Sequence, residues 1–368
     1  KLVDDWRWPV GRVVFEHWLK MDTRIQMILP IAASTFAGAF YFSARLVSAA
    51  APLRLLDRPN TRSLHQQPIP RTGGLALLAG MAIGMLLMTL TTIALPVWTI
   101  GFILAGLTPL IWVSFLDDYR GVAARWRILI HSLGAVSLLA AGLAPDRFEL
   151  PGLSAPLPLE VSIVLTWLFV VWMINLYNFM DGMDGFAGGM AVVGFLALAA
   201  LGWADAGFAL FCVIVAAASA GFLTHNFPPA RIFLGDTGST ALGFLAAACS
   251  LWGDRAGLFP LWAALLVFSP FIVDATVTLA RRLLRGEKVW EAHRSHCYQR
   301  LVLLGWGHRR TVLVEYALML ACAGSAIWAV RQSSGGQLAL AILWLSIYSI
   351  LIWGVGWLER RQATLSTA

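Results

Sequence analysis

Long apolar runs along almost the whole chain are the feature that most limits what this sequence can fold into. Eleven of them approach the roughly 20 residues that a helix needs to cross a hydrocarbon core of about 30 Å. Only 13% of the residues are charged, about half the share found in soluble domains. The sequence therefore predicts an all-α, polytopic membrane protein of about 11 transmembrane helices. The predicted spans are residues 25–50, 73–94, 97–116, 128–144, 158–178, 185–203, 207–224, 238–253, 257–280, 311–330 and 336–358.

The distribution of Lys and Arg predicts the orientation of these spans. With the loops taken alternately, two thirds of the 27 Lys and Arg residues fall on the side that includes residues 51–72, 117–127 and 281–310. Loops on the cytoplasmic side of a membrane carry such an excess. We therefore expect the N-terminus outside, the C-terminus in the cytoplasm, and a location in the bacterial inner (plasma) membrane.

A single catalytic domain is predicted over residues 25–358, between an N-terminal extension over residues 1–24 and a cytoplasmic tail over residues 359–368. Met21 is a candidate natural start, and no small-residue cleavage site follows the first run, so we expect no cleavable signal peptide. The four cysteines are far apart and predict neither a disulfide nor a cysteine-ligated zinc site. The net charge of +7 would suggest a nucleic-acid partner in a soluble protein, but in a membrane protein the position of the basic residues relative to the membrane matters more. No nucleic-acid partner is therefore expected.

An acidic pair, Asp117 and Asp118, lies at the predicted cytoplasmic end of the third span. Adjacent helical residues point about 100° apart, so the two carboxylates are expected to have different roles. One would face a reaction centre, while the other would orient a metal, a lysine or a backbone group. Taken alone, a solvated helix end is the simpler interpretation, but further polar clusters lie on the same predicted face.

The second cluster follows the fifth span and contains Asn175, Asn178, Asp181 and Asp184, with two Asp-Gly steps. One Asp-Gly step is an ordinary turn signal. Carboxamides and carboxylates at this density instead suit hydrogen bonding to a nucleobase or sugar, or support of a metal.

The third cluster runs from Asn226 to Ser239, with Asp236 between glycines and hydroxyl residues just before the eighth span. An oxygen ligand beside the free N–H groups of a helix start suits Mg²⁺ together with phosphate. The alternative interpretation makes Asp236 the N-cap of that helix.

Two basic segments complete the predicted face. His293 and His296, with Arg294 between them, suit contact with a diphosphate, and a zinc site is less favoured because two histidines need further ligands. Nearby Arg281, Arg282 and Arg285 are expected to bind anionic lipid headgroups nonspecifically. In the first internal loop, Arg71 followed by Gly73 and Gly74 at a helix start indicates an anion site or an ordinary connector.

Together these clusters supply carboxylates for a hard metal and basic groups for phosphates, at a lipid boundary. Phosphoryl transfer depends mainly on positioning and on neutralising phosphate oxygens. The sequence therefore predicts phosphoryl transfer between a soluble substrate and one held in the membrane.

The motifs, in this order, resemble those of the polyprenyl-phosphate N-acetylhexosamine-1-phosphate transferases (glycosyltransferase family 4), and specifically the branch that initiates O-antigen and other surface glycans. The resemblance covers about residues 53–296. It is carried by Asp-Arg-Pro-Asn with Pro-Arg-Thr-Gly-Gly, Asp-Asp, Asn-Phe-Met-Asp-Gly-Met-Asp-Gly, Phe-Leu-Gly-Asp-Thr-Gly-Ser and His-Arg-Ser-His.

The resemblance implies transfer of a sugar-1-phosphate from a UDP-N-acetylhexosamine to undecaprenyl phosphate, with release of UMP and a requirement for Mg²⁺, for which Mn²⁺ is a candidate substitute. It implies catalytic roles for Asp117, as the base that prepares the lipid phosphate, for Asp118, as support for metal and phosphates, and for Asp236, as the metal ligand. The implied substrate-binding residues are Arg71, Asn178, Asp181, Asp184, Asn226, His293, Arg294 and His296. Of these, Asn178, Asp181 and Asp184 would line the nucleotide pocket, with Asn226 near the uracil.

One motif departs from the related peptidoglycan-precursor translocases, because His-Arg-Ser-His replaces three consecutive histidines. This argues against a large muramyl-peptide donor and favours GlcNAc, QuiNAc or FucNAc. An intramembrane prenyltransferase is an alternative, although its acidic residues should be spaced four apart. A transporter or flippase is another, and it would release no UMP. The large apolar surface of Trp-rich spans such as 336–358 contacts membrane lipids and is compatible with a homodimer.

Overall fold

A computed structural model describes residues 23–48, 53, 55–59, 64, 67–288 and 293–367. Most of the predicted N-terminal extension lies outside the described residues, and so do residues 60–63 and 65–66 of the first internal loop. The described part is almost entirely helical. Its helices are α1 (Thr23–Val47), α2 (Gly73–Met88), α3 (Val97–Arg120), α4 (Ala124–Ala140), α5 (Leu159–Phe179), α6 (Phe186–Leu201), α7 (Ala206–Asn226), α8 (Gly235–Arg255), α9 (Leu261–Val267), α10 (Ser269–Leu284), α11 (Cys297–Leu301), α12 (Gly307–Ala329) and α13 (Ser334–Thr367), with a π-helical turn at Val302–Trp306 between α11 and α12.

Each of the eleven predicted spans coincides with a helix or a pair of helices. Among the described helices, six are long and apolar enough to cross a membrane, and the pair α9 and α10 makes a seventh if it is one bent span. Helices α2 and α6 are apolar but have only 16 residues each, which corresponds to about 24 Å at 1.5 Å per residue. The chain is a multi-pass membrane protein, while the number of 11 spans and the orientation stay predictions.

The ninth predicted span, residues 257–280, is not one straight helix. Helices α9 and α10 meet at an angle of 78° around Phe268. Pro270, at the start of α10, has no N–H to donate and fixes its own φ angle, so it favours a new helix start over continuation. The spans predicted over residues 185–203 and 238–253, both of which begin at Gly-rich turns, are continuous helices.

Two short antiparallel hairpins are exceptions to the all-α prediction. Strands β1 (Leu56–Asp57) and β2 (Ile69–Pro70) pair in the first internal loop, and β3 (Arg147–Leu150) and β4 (Leu153–Pro156) pair at the predicted outer face. The first hairpin leads directly into α2 and brings Asp57 towards the polar end of the helices.

Helix α8 is the centre of the bundle and is buried over nearly its whole length. Its first turn crosses that of α2 so closely that a Cβ atom on Gly74 would lie 2.3 Å from the backbone nitrogen of Gly238. Small residues permit this approach between membrane helices. The crossing places the start of α8, which carries Asp236, against the ends of α3 and α5.

Candidate active site

Asp118, at the end of α3, is buried and holds the start of α8. Its Oδ1 accepts a hydrogen bond from the backbone N–H of Asp236 at 3.0 Å. Its Oδ2 accepts from the backbone N–H of Thr237 at 2.9 Å and from the Thr237 hydroxyl at 2.7 Å. These N–H groups belong to the first turn of α8 and have no partner within their own helix. Asp118 therefore caps α8 from a neighbouring helix and so orients Asp236.

Asp117 points to the other side of the same helix end. Its Oδ1 accepts a hydrogen bond from the N–H of Val122 at 2.6 Å, and its Oδ2 accepts from Arg127 Nη1 at 3.0 Å. The same guanidinium nitrogen lies 3.8 Å from Asp236 Oδ2. Arg127 thus links the two carboxylates, and its side chain remains 40% exposed. The adjacent aspartates have different partners, as their spacing on a helix predicts.

Asp236 is the most accessible of the three carboxylates. Its side chain is 34% exposed, compared with 10% for Asp117 and 2% for Asp118. Asn178, at the end of α5, donates to Asp236 Oδ1 at 2.9 Å and also bonds Ser239 Oγ at 3.0 Å. The amide therefore fixes the orientation of Asp236 while leaving one carboxylate oxygen towards the opening.

Asp181, in the loop after α5, adds a fourth carboxylate. Its burial, together with the nearby carboxylates of Asp236, Asp118 and Asp57, raises the pKa of Asp181 well above its usual range. Asp57 comes from β1, in the segment that begins the first motif. Sequence reasoning did not single it out as a site residue, although it opens a quoted motif.

Asp184 and Asn226 connect loops within the protein. Asp184 Oδ2 accepts from the N–H of Ala230 at 2.9 Å, and its Oδ1 lies 3.0 Å from His308 Nδ1 at the start of α12. Asn226 accepts from the N–H of Gly185 at 3.0 Å and donates to a backbone carbonyl beyond α7. Both side chains thus hold the loop after α5 in place, and their predicted contact with a nucleotide stays a prediction. His308 was missed because it lies well beyond the last motif.

The His-Arg-Ser-His segment is held against α10. Asp274 of α10 accepts hydrogen bonds from the backbone N–H groups of Cys297 and Tyr298 at 2.8 and 3.2 Å, and His296 Nδ1 lies 3.5 Å away. His296 is buried, with its ring stacked near Phe179 at the end of α5.

The other two members of the segment are more open. His293 Nδ1 bonds the Ser295 hydroxyl at 2.8 Å, and burial, then the charges of His296 and Arg282, lowers the pKa of His293 to about 4. His293 is therefore neutral near pH 7 and can donate or accept a hydrogen bond without adding charge. Arg294 is exposed and lines a different cavity.

The expected anion site at the start of α2 is not available. The N–H groups of Gly73 and Gly74 donate to the carbonyls of Phe233 and Leu234 at 2.9 and 2.8 Å, so an anion would have to displace them. The glycines serve the close crossing with α8 instead. Arg71 donates from Nη2 to the backbone carbonyl of Asp118, and its Nε lies 3.9 Å from Asp118 Oδ1. Arg71 therefore contacts the acidic centre through Asp118 and helps to hold the end of α3 in place.

A groove of about 780 Å³ opens from the acidic centre between α3, α4 and α5. Its polar end contains Asp117, Arg127, Asn178 and Asp236. The rest is lined mainly by apolar and aromatic side chains, among them Leu110, Val113, Ile128, Trp167, Trp172 and Phe179. The groove thus joins a charged end to an apolar channel, which suits a long lipid with a charged head.

The acidic centre meets the requirements of Mg²⁺ better than those of a fully protein-ligated metal. Within the described residues, no three His, Cys, Asp or Glu side chains form a ready-made metal cage. Mg²⁺ is usually held by one or two carboxylates plus substrate phosphates and water. Asp236 is accessible, and the carboxylates of Asp118 and Asp117 are close enough to repel it, so a divalent cation would relieve their repulsion.

Comparison with known proteins shows to which family the chain belongs. Residues 99–254 match the model of glycosyl transferase family 4. The chain is 32% identical over 303 residues, 81% of each chain, to a Bacillus subtilis protein named "probable undecaprenyl-phosphate N-acetylglucosaminyl 1-phosphate transferase". It is 29% identical over 353 residues, 86% of this chain and 88% of the relative, to a decaprenyl-phosphate N-acetylglucosaminephosphotransferase of Mycobacterium leprae. It is 28% identical over 331 residues, 86% of each chain, to an undecaprenyl-phosphate alpha-N-acetylglucosaminyl 1-phosphate transferase of Yersinia pestis. With this identity across four fifths of both chains, the protein is a sugar-1-phosphate transferase and belongs to the polyprenyl-phosphate N-acetylhexosamine-1-phosphate transferase family.

Proposed function

We propose that this enzyme transfers an N-acetylhexosamine-1-phosphate from a UDP-sugar to undecaprenyl phosphate and releases UMP. The observation that carries the proposal is the groove, because one cavity combines the Asp117, Arg127 and Asp236 cluster with a long apolar wall. A polyprenyl phosphate has the same two parts. Its phosphate would lie at the charged end, and its isoprenoid chain would follow the apolar side chains between α3, α4 and α5.

The names of the relatives support N-acetylglucosamine as the first sugar to test. They also name undecaprenyl or decaprenyl phosphate as the acceptor. QuiNAc and FucNAc remain further candidates for this chain, because the His-Arg-Ser-His motif gives no reason to exclude a 6-deoxy sugar. We propose that the lipid-linked product initiates O-antigen or another surface polysaccharide.

In the proposed reaction, a phosphate oxygen of the lipid attacks the β-phosphorus of the UDP-sugar. The bond between the two phosphates of the donor breaks, and UMP leaves with the bridging oxygen. Arg127 would hold the lipid phosphate in line, and Asp117 beside it would accept a proton if the phosphate arrives protonated. Asp118 would keep the first turn of α8 in place, and Asn178 would orient Asp236.

Asp236 would hold Mg²⁺, with Mn²⁺ as a candidate substitute. When bound, the ion supplies positive charge to the phosphoryl oxygens of the donor. His293 and His296 would contact the diphosphate or the sugar from the opposite side. Since His293 is neutral near pH 7, its contribution would be a hydrogen bond rather than an ion pair.

The experiment that tests this proposal measures UMP release by the purified protein in detergent, with undecaprenyl phosphate, Mg²⁺ and a panel of UDP-N-acetylhexosamines. Release should require one of the sugars, the lipid phosphate and the metal, and undecaprenol should not replace the lipid phosphate. Asp236→Asn should lower turnover by at least about a hundredfold. The matched control is Asp146→Asn, because Asp146 pairs with Arg255 far from the groove. Release without lipid, or full turnover in Asp236→Asn, would count against the proposal.

We propose a direct displacement rather than a phospho-aspartyl intermediate. The support is that Asp117 is already bonded to Val122 and Arg127, which makes it a poorly placed nucleophile. Incubation with UDP-sugar labelled in the β-phosphate, without lipid, should leave the protein unlabelled. Label that stays on the protein and is released by hydroxylamine, as an acyl phosphate is, would establish the two-step alternative.

We further propose that the acidic centre faces the cytoplasm, which the excess of Lys and Arg on that side supports. Lys288→Cys and Ser154→Cys place thiols at the two predicted faces. In intact spheroplasts, a membrane-impermeant maleimide should label Ser154→Cys and spare Lys288→Cys until the cells are lysed. The reverse pattern would invert the orientation. Association into a homodimer stays a prediction, since the exposed apolar side of α13 is equally suited to lipid.

A further inference from the structure

A second cavity, of about 560 Å³, lies between the end of α10, the π-helical turn and the end of α13. It shares no lining residue with the groove at the acidic centre. Helix α10 separates the two, since Thr278 lines this cavity and the next residue, Leu279, lines the groove. We name it the arginine cavity for the five arginines in its wall, which are Arg281, Arg282, Arg285, Arg294 and Arg300.

Two of these arginines are neutralised by acidic residues of the same cavity. Arg282 Nε donates to Glu287 at 2.8 Å, and this hydrogen bond lowers the pKa of Glu287. Arg300 holds Glu359 with two nitrogens, one of them Nε at 2.6 Å. Arg282 is buried, with 6% of its surface exposed. It is therefore a structural residue of the cavity wall and not part of a nonspecific basic rim.

The remaining arginines form no close ion pair with a carboxylate of the described wall, although the charges of Arg281 and Arg285 act on Glu359 from a greater distance. Glu287 and Glu359 are the only carboxylates in the described wall, and they are already bonded to Arg282 and Arg300. Arg281, Arg285 and Arg294 therefore leave three positive charges facing one cavity. Like charges gathered in this way are costly unless an anion joins them, so the cavity has the electrostatics of an anion site.

A buried donor indicates where such an anion would bind. Nη1 of Arg300 is buried and has no hydrogen-bond partner among the described residues, although the other two nitrogens of the same guanidinium are bonded to Glu359. Buried polar atoms rarely lack a partner, and an unexplained one points to a bound ion or group. The geometry of guanidinium groups matches phosphate oxygens particularly well.

Exposed leucines, in the cavity wall and next to its arginines along the chain, favour a lipid over a soluble anion. Leu283 and Leu284, at the end of α10, are 66% and 88% exposed, and Leu303 in the cavity wall is 52% exposed. Exposed leucines beside arginines suit the level of a membrane where acyl chains meet headgroups. A free phosphate would use the arginines but would leave the leucines in water.

We propose that the arginine cavity is a second phosphate-binding site, separate from the acidic centre, that takes the headgroup of an anionic membrane lipid. Arg281, Arg285 and Arg294 would neutralise the phosphodiester, Arg300 Nη1 would donate to one of its oxygens, and the acyl chains would lie along the leucines. The proposal does not depend on which substrates the acidic centre uses, because it can be tested by binding alone.

The test compares lipid retention by the full-length protein in detergent, measured by native mass spectrometry with added phosphatidylglycerol. The variant is Arg281→Gln/Arg285→Gln, which removes two charges without breaking any hydrogen bond of the described wall. The matched control is Arg120→Gln/Arg125→Gln, which removes two exposed arginines that do not line the cavity. The wild type and the control should retain one phosphatidylglycerol. The cavity variant should bind this lipid at least about tenfold more weakly.

Two further arms identify the ligand. Phosphatidylcholine, which carries no net charge, should not be retained at the same concentration. Inorganic phosphate should compete weakly, because it lacks the acyl chains. Equal retention of phosphatidylglycerol by the wild type and the cavity variant would overturn the proposal. Arginine-dependent binding of inorganic phosphate without retention of lipid would overturn the assignment to a lipid headgroup.

Discussion

Replacing Asp118 with Asn should destabilise the protein, because this carboxylate caps α8 from outside the helix. It accepts three hydrogen bonds from the first turn of α8, at 2.7 to 3.0 Å, in a buried position. Hydrogen bonds to a charged acceptor contribute about 1.5–3 kcal/mol each, and neutral ones about 0.5–1.5 kcal/mol. Asparagine keeps one acceptor oxygen and turns an NH₂ group towards a donor. Because asparagine also removes the desolvation cost of a buried charge, the loss expected in the free energy of unfolding is about 2–4 kcal/mol.

The assay is thermal unfolding in detergent, followed by the fluorescence of the 17 tryptophans. At about 2 °C per kcal/mol, Asp118→Asn should lower the Tm by roughly 4–8 °C. The control is Asp236→Asn, whose side chain accepts one hydrogen bond, from Asn178, and is one third exposed. It should keep its Tm within about 2 °C and lose its activity. A wild-type Tm for Asp118→Asn would refute the capping role.

Three further outcomes follow from the same contacts. Arg127→Gln should raise the KM for the lipid phosphate by about tenfold, whereas the exposed neighbour Arg120→Gln should not, and equal KM values would remove Arg127 from the acceptor site. Gly74→Ala should prevent stable folding because its Cβ would lie 2.3 Å from the backbone of α8, while Gly101→Ala has open space and should purify normally; a normal yield of both would contradict the helix crossing. The pKa of His293 is about 4 in the folded protein, against an ordinary 6.5, so between pH 6.5 and pH 4 the unfolded chain binds this proton and the folded protein does not. The folded state therefore loses stability as the pH falls through that range. Between pH 7 and pH 5, the Tm of His293→Gln should fall less than the Tm of the wild type. Parallel Tm curves for the two proteins would contradict that pKa.

The sequence was informative about where helices lie and which of their ends carry polar residues. Apolar length alone located the spans, since a membrane requires it. The order of polar clusters at alternate loops predicted that Asp117, Asn178 and Asp236 would share one face, and the structure brings these three side chains together at one end of the bundle. The bend before α10 was missed, because residues 257–280 were predicted as one span, although Pro270 directly after the break is a signal for a new helix start.

The rotation of each helix about its axis could not be read from such a chain. A helix that is apolar on all sides gives no periodicity from which to infer its buried face. The sequence therefore left open which aspartate of the pair faces the groove. In the structure Asp118 accepts hydrogen bonds from the backbone of α8, and Asp117 lines the groove. The sequence also contains no specific indication of Arg127, which is simply a basic residue in the first turn of the helix that follows the acidic pair.

Contacts between distant parts of the chain were likewise out of reach. Asp274 is an ionisable residue within the ninth predicted span, but its hydrogen bonds to the segment that carries His296 depend on the tertiary fold. The pairing of Asp184 with His308 joins residues more than a hundred positions apart. Nothing local in the sequence encodes either contact.

The most direct test of the central claim follows the β-phosphate of the donor. The purified protein would receive undecaprenyl phosphate, Mg²⁺ and a UDP-N-acetylhexosamine labelled with ³²P in the β-phosphate, and the label would be counted after extraction into organic solvent. Transfer of a sugar-1-phosphate predicts that label moves to the lipid in step with UMP release, and that Asp236→Asn abolishes the transfer. Label that stays with a released nucleoside diphosphate while the sugar moves, or no transfer by folded protein, would contradict the account.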